Sequence, residues 1–301
     1  MRTILTFLLF LLIPQLAMAG NSSMGPVPIR GDFTELKQAA SVRVDKVIDG
    51  QTVLMTDGKI VRLLGIDYPF MAGDAEGGPA ILGKAALELF LPKGKEVLLY
   101  QNKSRERGRL NRMGHSLAHL VIKDRGEWVN GALVARGVAW AATDATNPAM
   151  AEQLYALEDS ARKAGKGLWS KDSPFGLLTP ETAAQGDGTF RVVEGTVNRA
   201  ATSKNNLYLN FGSDWRKDFT VMITPGIRKG LSKKDVDAMA LTGQKIRVRG
   251  WLREWNGPFM ELETPERLEV LMSTASSPVL PTESADDLPP AQPRATGQIN
   301  P

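Results

Sequence analysis

Four residues with usable chemistry stand in two pairs in the first half of the chain: Arg62 with Asp67, and His115 with His119. The even spacing of the histidines puts both on one side of a strand. Together with Asp67 they are of the types that hold a transition metal. Alternatively, His115 is a lone base, and Arg62 and Asp67 form an ion pair that braces a turn. Asp74 and Glu76 follow among Gly73, Gly77 and Gly78. They either carry a carboxylate toward the first pair or belong to a solvated loop.

Two basic rows stand apart from these groups. Lys103, Arg105, Arg107 and Arg109 alternate, so an extended segment would put all four on one side to track phosphates, whereas a solvated loop would scatter them. Lys245, Arg247, Arg249, Trp251 and Arg253 share one parity while Ile246, Val248 and Leu252 take the other. Tyr208 is likewise opposite in parity to Leu207, Leu209 and Phe211. Cations for phosphates and rings for bases are the ingredients of single-strand nucleic-acid binding. The alternative is that Trp251 and Trp255 cover the edge of their own core.

The elements that must position these groups are short strands. Residues 41–48, 52–55 and 59–66 read as a meander turned at Asp49-Gly50 and Asp57-Gly58. A helix over 79–91, with Leu82, Ala86 and Leu89 at helical spacing, leads to strands at 96–100 and 115–122. Helices over 129–136 and 148–164 follow, the second placing Met150, Leu154, Leu157 and Ala161 on one core-facing stripe. Residues 171–189, with Pro174, Pro180, Gly186 and Gly188, read as a linker. Strands at 190–197, 207–211, 219–223, 245–251 and 260–262, the Asn256-Gly257 turn and a short helix capped by Ser232 make a second unit.

Composition sets the frame. With 301 residues, 43% apolar and 23% charged, the chain has room for two modest cores. Without cysteine, disulfides, thiol catalysis and thiolate metal sites are excluded. The net charge of +4 mildly favours polyanionic partners. Residues 1–19 carry Arg2, an apolar run and an Ala17-Met18-Ala19 end, as in a cleaved signal peptide. The run is shorter than the ~20 residues that a membrane span needs. No membrane span is expected after cleavage, and the compartment expected is secreted or periplasmic. Residues 20–40 read as a leader, 41–170 and 190–272 as two domains, and 273–301, rich in Ser, Pro, Ala and Thr, as a disordered tail.

Asp49-Gly50-Gln51-Thr52, the run Val61-Arg62-Leu63-Leu64-Gly65-Ile66-Asp67-Tyr68-Pro69, and Gly114-His115-Ser116-Leu117-Ala118-His119-Leu120 resemble the thermonuclease (staphylococcal nuclease-like) family. The similarity runs on through Asn130, Glu158, Ala161-Arg162 and Gly167-Leu168-Trp169-Ser170. It implies a β-rich α+β fold, a five-stranded oligonucleotide-binding-type (OB-type) barrel with packed helices. Tyr208-Leu209-Asn210-Phe211, Asp218-Phe219-Thr220-Val221 and Val248-Arg249-Gly250-Trp251 resemble the barrel domain appended to some bacterial thermonuclease-like proteins, implying a second small OB-like barrel.

Active members of the family cut DNA and RNA with calcium. The resemblance puts a calcium-ligand aspartate where Gln51 stands, a second ligand at Asp67, the general base where Phe70 stands, and phosphate-clamping arginines at Arg62 and where His115 stands. Only Arg62 and Asp67 match. The expectation is a nucleic-acid-binding protein with a degenerate site, taking single-stranded DNA or RNA and no cofactor. The rivals are a calcium-dependent nuclease working through relocated acids and an envelope module that binds a protein partner.

Overall fold

A computed structural model describes residues 27–69 and 78–271. The expected signal segment and tail, Phe70, Asp74 and Glu76 lie outside the described residues. The first unit contains β1 (Leu36–Val47), β2 (Thr52–Met55), β3 (Ile60–Leu63), β4 (Ile66–Asp67), α1 (Pro79–Phe90), β5 (Glu96–Asn102), β6 (Ser116–Ile122), β7 (Glu127–Trp128), α2 (Val129–Ala135), β8 (Trp140–Ala141) and α3 (Ala151–Lys163). β1, β2 and β3 form the expected antiparallel meander, β3 runs parallel to β6, and β6 pairs back through β5 to β1, which closes a five-stranded barrel. Register shifts at Gln38/Ala40 and Val44/Lys46 let the long β1 bend and serve both neighbours.

The folded body begins earlier than residue 41. The Ile29 carbonyl accepts the Trp128 N–H at 2.7 Å, and Phe33 stacks on Tyr100 with centroids 4.3 Å apart. Apolar residues at 29, 33 and 36 explain why this stretch folds down. α1 departs from expectation in the other direction. Its buried residues are Pro79, Gly83 and Leu87, while the periodic Leu82 and Leu89 stand 62% and 86% exposed.

The second unit contains β9 (Phe190–Thr196), β10 (Arg199–Ser203), β11 (Asn206–Asn210), β12 (Thr220–Ile223), α4 (Pro225–Ser232), β13 (Lys245–Glu254), β14 (Pro258–Glu261) and β15 (Leu268–Leu271). β9 and β10 act as one bent strand, pairing with β13 at one end and β11 at the other. β12 runs parallel to β14 and β14 returns to β13. That is the strand order of the first barrel, again with a helix between the third and fourth strands. α4 is capped by Thr224, whose hydroxyl accepts the Ile227 N–H; Ser232 instead closes its last turn. The expected linker is part of this unit. Thr179 and Thr182 form a capping box on a 3-10 helix over Pro180–Gly186, and Leu178 and Ala183 are buried in the core.

The two barrels share a core. Trp140, Leu168 and Trp169 of the first pack with Phe190 and Val192 of the second. Beside them Arg249 is fully buried, its guanidinium 3.9 Å above the Tyr155 ring. Its Nη1 donates to Glu158 at 2.7 Å and to the Ala141 carbonyl at 3.2 Å, and its Nη2 donates to Glu269. Burial alone would lower the guanidinium pKa, but Glu158, Tyr155 and Glu269 outweigh it and hold the group above its ordinary value. Arg247 reaches Glu194 at 2.8 Å, Glu269 at 3.4 Å and Asp159 at 3.6 Å, and the Arg267 Nε donates to the Thr143 carbonyl at 3.0 Å.

Arg249→Ala strands the fully buried Glu158 without its closest cation. It should cost roughly 3–5 kcal/mol of unfolding free energy, read from chemical denaturation. A loss below about 1 kcal/mol would show that the pair does not hold the barrels together.

Candidate functional site

The mouth of the first barrel is built on the Asp49-Gly50 turn and on β4. The Asp49 Oδ1 accepts the Gln51 N–H at 2.7 Å, which fixes the turn and directs the Gln51 side chain inward, where it is 5% exposed. The Gln51 Nε2 donates to the Ile66 carbonyl at 2.6 Å and to Asp67 Oδ1 at 3.1 Å. The same oxygen accepts the Tyr68 N–H at 2.9 Å. Burial raises the Asp67 pKa, against the opposing effects of the Tyr68 amide, Arg62 and Gln51. The Tyr68 hydroxyl donates to the Gly50 carbonyl at 2.8 Å, and burial, with Asp49 and Asp67 nearby, pushes its pKa up. A Cβ at Gly83 would fall 2.2 Å from the Tyr68 ring, so the glycine is what lets α1 close on the mouth.

These groups do not fit calcium. A hard divalent cation takes six to eight oxygen ligands and gains affinity from their charge. Among the described residues, the Gln51 amide N–H occupies Asp67 Oδ1 and the Gln51 backbone N–H occupies Asp49 Oδ1, and burial already disfavours the charge of Asp67. Among the described residues no group of three or more His, Asp or Glu side chains stands where it could hold a metal. Arg62 lies half-buried on β3 opposite Thr52. No ion pair within 4 Å joins it to Asp67 among the described residues, although its charge lowers the Asp67 pKa.

The two histidines part company. His115 precedes β6 in a turn, where its N–H donates to Asn111 Oδ1 at 2.9 Å. His119 is 1% exposed, packed against Trp128 and Phe33 with ring centroids 5.6 and 6.4 Å away. The Trp128 Nε1 donates to its Nδ1 at 3.3 Å, and burial lowers its pKa to about 3. The even spacing fails because His115 lies outside the strand, and the pair makes no metal site.

The first basic row is a loop, not a strand. Arg109 curls back, its Nε donating to the Asn102 carbonyl at 2.7 Å and its Nη2 to that of Lys103 at 2.9 Å. Lys103, Arg105 and Arg107 remain exposed. Arg105, Arg107 and Arg109 line a 340 Å³ cleft together with Glu106, Gln101 and Ser116.

The second row is mostly not a surface. Its alternation is real, but the face turns toward α3 of the first barrel, so that Arg247 is 6% exposed and Arg249 fully buried. Both are spent on acids, which makes them interface residues and not the ligand contacts expected of them. Lys245 and Arg253 are exposed, Lys245 in an ion pair with Glu194 at 2.6 Å. Trp251 is 51% exposed, its ring edge-on to Phe190 with centroids 6.4 Å apart. Tyr208 is fully buried, so it offers no open stacking ring. Tyr68 and Glu158 carry roles that sequence reasoning missed. The signal for Tyr68 was its place between Asp67 and Pro69; for Glu158 it was an acid in α3 to match buried arginines at 247 and 249.

Residues 60–171 match the family model described as staphylococcal nuclease homologue. A search of curated proteins found no match.

Two outcomes follow from these environments. Gln51→Asp exchanges a donor for a second carboxylate against Asp67. It should lower stability by roughly 1–3 kcal/mol at pH 7, and by less near pH 4.5, where the pair can share a proton. Equal loss at both pH values would show that Asp67 is not the group sensing position 51. His119 has a folded-state pKa near 3, below its ordinary value of 6.5, so its stabilising contribution is present above pH 6.5 and is lost as pH falls. Between pH 6.5 and 5 this should amount to about 2 kcal/mol. Denaturation of wild type and His119→Gln across that window tests it, and a variant with the wild-type pH dependence would refute it.

Proposed function

Because residues 60–171 match the family model described as staphylococcal nuclease homologue, we propose that the chain is an exported nucleic-acid-binding protein whose first barrel keeps that frame without its phosphodiester hydrolysis. The observation that carries this reading is the Gln51 amide, which donates to Asp67 at 3.1 Å and to the Ile66 carbonyl at 2.6 Å. Hydrolysis needs acceptors turned toward a cation, a base for water and guanidinium groups for the developing charge. The mouth instead turns a donor inward, where it is fully satisfied. Phenylalanine stands at the base position 70 and histidine at the clamp position 115. Losing a base costs about 10²–10⁴ in rate, and losing a charge-stabilising donor roughly 10²–10³ more. Binding survives such losses, because it needs only exposed cations: Arg105 and Arg107 stand exposed at the cleft, and Lys103 is exposed in the same loop. Residues 1–19 support export.

A second reading, a protein-docking module of the envelope, is favoured by the apolar strip of Ile81, Leu82 and Leu89 on α1, exposed by 42%, 62% and 86%.

Labelled single-stranded DNA and RNA, incubated with the chain from residue 20 onward in calcium or chelator, separate these readings. The expected result is retention without cleavage, with affinity falling steeply as salt rises. Arg105→Gln with Arg107→Gln should reduce the salt slope by about 2, roughly one for each phosphate left unneutralised. Calcium-dependent cleavage overturns the proposal. Failure to retain either strand at low salt leaves the docking reading ahead.

A further inference from the structure

α1 is apolar on every side. Of its twelve residues only Lys84 and Glu88 carry charge. One row, Pro79, Gly83 and Leu87, is buried: Gly83 closes on the Tyr68 ring, and Leu87 enters the core of the first barrel. Phe90 beside that row is half-buried, with the Arg136 guanidinium 4.6 Å from its ring centre. The opposite row of Ile81, Leu82, Ala85 and Leu89 stands exposed, and Leu89 at 86% is the most exposed large apolar side chain among the described residues. A surface helix ordinarily carries polar residues opposite its core face, and a helix that is apolar all round is one that is covered all round. The described chain covers one side of α1.

The exposed strip is complementary to itself. Leu82 and Leu89 lie about two turns apart on one flank, Lys84 and Glu88 about one turn apart on the other, and Ala85 lies between the flanks. A two-fold axis beside Ala85 would lay a second α1 antiparallel across the first and keep like flanks together. Each Leu82 then meets the partner's Leu89, and each Lys84 meets the partner's Glu88. The small Ala85 lets the axes approach to the near end of the ~8–10 Å that packed helices keep.

The charges point the same way. Among the described residues no ion pair within 4 Å engages Lys84 or Glu88. Within one helix, a lysine four residues before a glutamate is the weaker order for such a pair. Across the two-fold that order supplies two cation–carboxylate contacts, one at each end of the strip. The strip is also rigidly presented, because Tyr68 clasps Gly83 from the barrel side and reaches back to the Gly50 carbonyl at 2.8 Å.

We propose that α1 is a homodimer interface, in which two copies of the chain pack α1 against α1, antiparallel, about a two-fold axis beside Ala85. The contact is small. Two twelve-residue helices cover no more than the ~1,200 Å² at which specific interfaces begin, so the dimer is reversible and forms as concentration rises. The inference goes beyond the nucleic-acid reading and does not depend on it. Filled by a second copy, the strip ceases to favour the docking reading.

The test uses the chain from residue 20 onward, which keeps every described residue, in sedimentation velocity over a concentration series reaching the millimolar range. Wild type should pass from monomer to dimer along the series. Leu89→Glu should remain monomeric throughout and keep the wild-type melting temperature at low concentration. Lys84→Glu and Glu88→Lys should each weaken association several-fold, and mixing the two variants should restore it, since every contact across the two-fold then joins opposite charges. A wild type that stays monomeric overturns the proposal and leaves the strip to another protein. Dimers that persist in Leu89→Glu place the interface on a different face. If Leu89→Glu lowers the melting temperature of the monomer, the strip packs within its own chain, against residues 70–77, and the proposal fails. If the mixed variants associate no better than either alone, the antiparallel pairing is wrong. None of these outcomes turns on the retention of labelled strands, so the nucleic-acid reading is judged separately.

Discussion

The arrangement of this molecule turns on the guanidinium of Arg249. A cation with no exposure to water is tolerable only where carboxylates and carbonyls meet it directly. Here Glu158 and the Ala141 carbonyl come from the first barrel, Glu269 comes from the second, and the Tyr155 ring lies beneath. A set drawn from both barrels fixes which face of β13 turns inward. The other outward faces are then assigned by exclusion. The loop of Lys103, Arg105 and Arg107 stays open to solvent, and Trp255 from the turn between β13 and β14 packs on the aromatic side of β11, β12 and β14.

On the proposed reading, the barrel mouth keeps its shape without its hydrolytic chemistry. Where the family resemblance expects a charge, Gln51 offers an amide of nearly the same reach, and that amide finds two acceptors at once. Tyr68 then secures the turn by reaching back to the Gly50 carbonyl. Each substitution is satisfied by neighbours already present. The outcome is a rigid plug of polar groups where an open set of acceptors would bind a cation.

Much of this was legible in the sequence because strands and turns are local. Asp49-Gly50, Asp57-Gly58 and Asn256-Gly257 marked hairpins, and alternation marked which side of β11 enters the core. What alternation cannot say is what covers the other side. Arg247, Arg249 and Tyr208 share the parity of solvent-facing residues and are buried all the same, the arginines against the first barrel and the tyrosine in a cluster on which the hairpin tryptophan Trp255 packs. Helical period misled in the same way at α1, where Gly83 meets Tyr68 closely and so turns Leu82 and Leu89 outward. At the mouth the substitutions at 51 and 115 were visible as letters. The amide's reach to both Ile66 and Asp67 is a fact of three dimensions.

The segment before β1 has its partners far along the chain. Ile29 receives a backbone hydrogen bond from Trp128, and the Asp32 N–H reaches Gln153 across a sequence separation of 121 residues. As the polypeptide emerges from the ribosome, Ile29, Asp32 and Phe33 cannot complete their contacts until Tyr100, Trp128 and Gln153 have been made, because contacts this distant close late. The start of the described chain is therefore fastened only by contacts that the completed first barrel supplies.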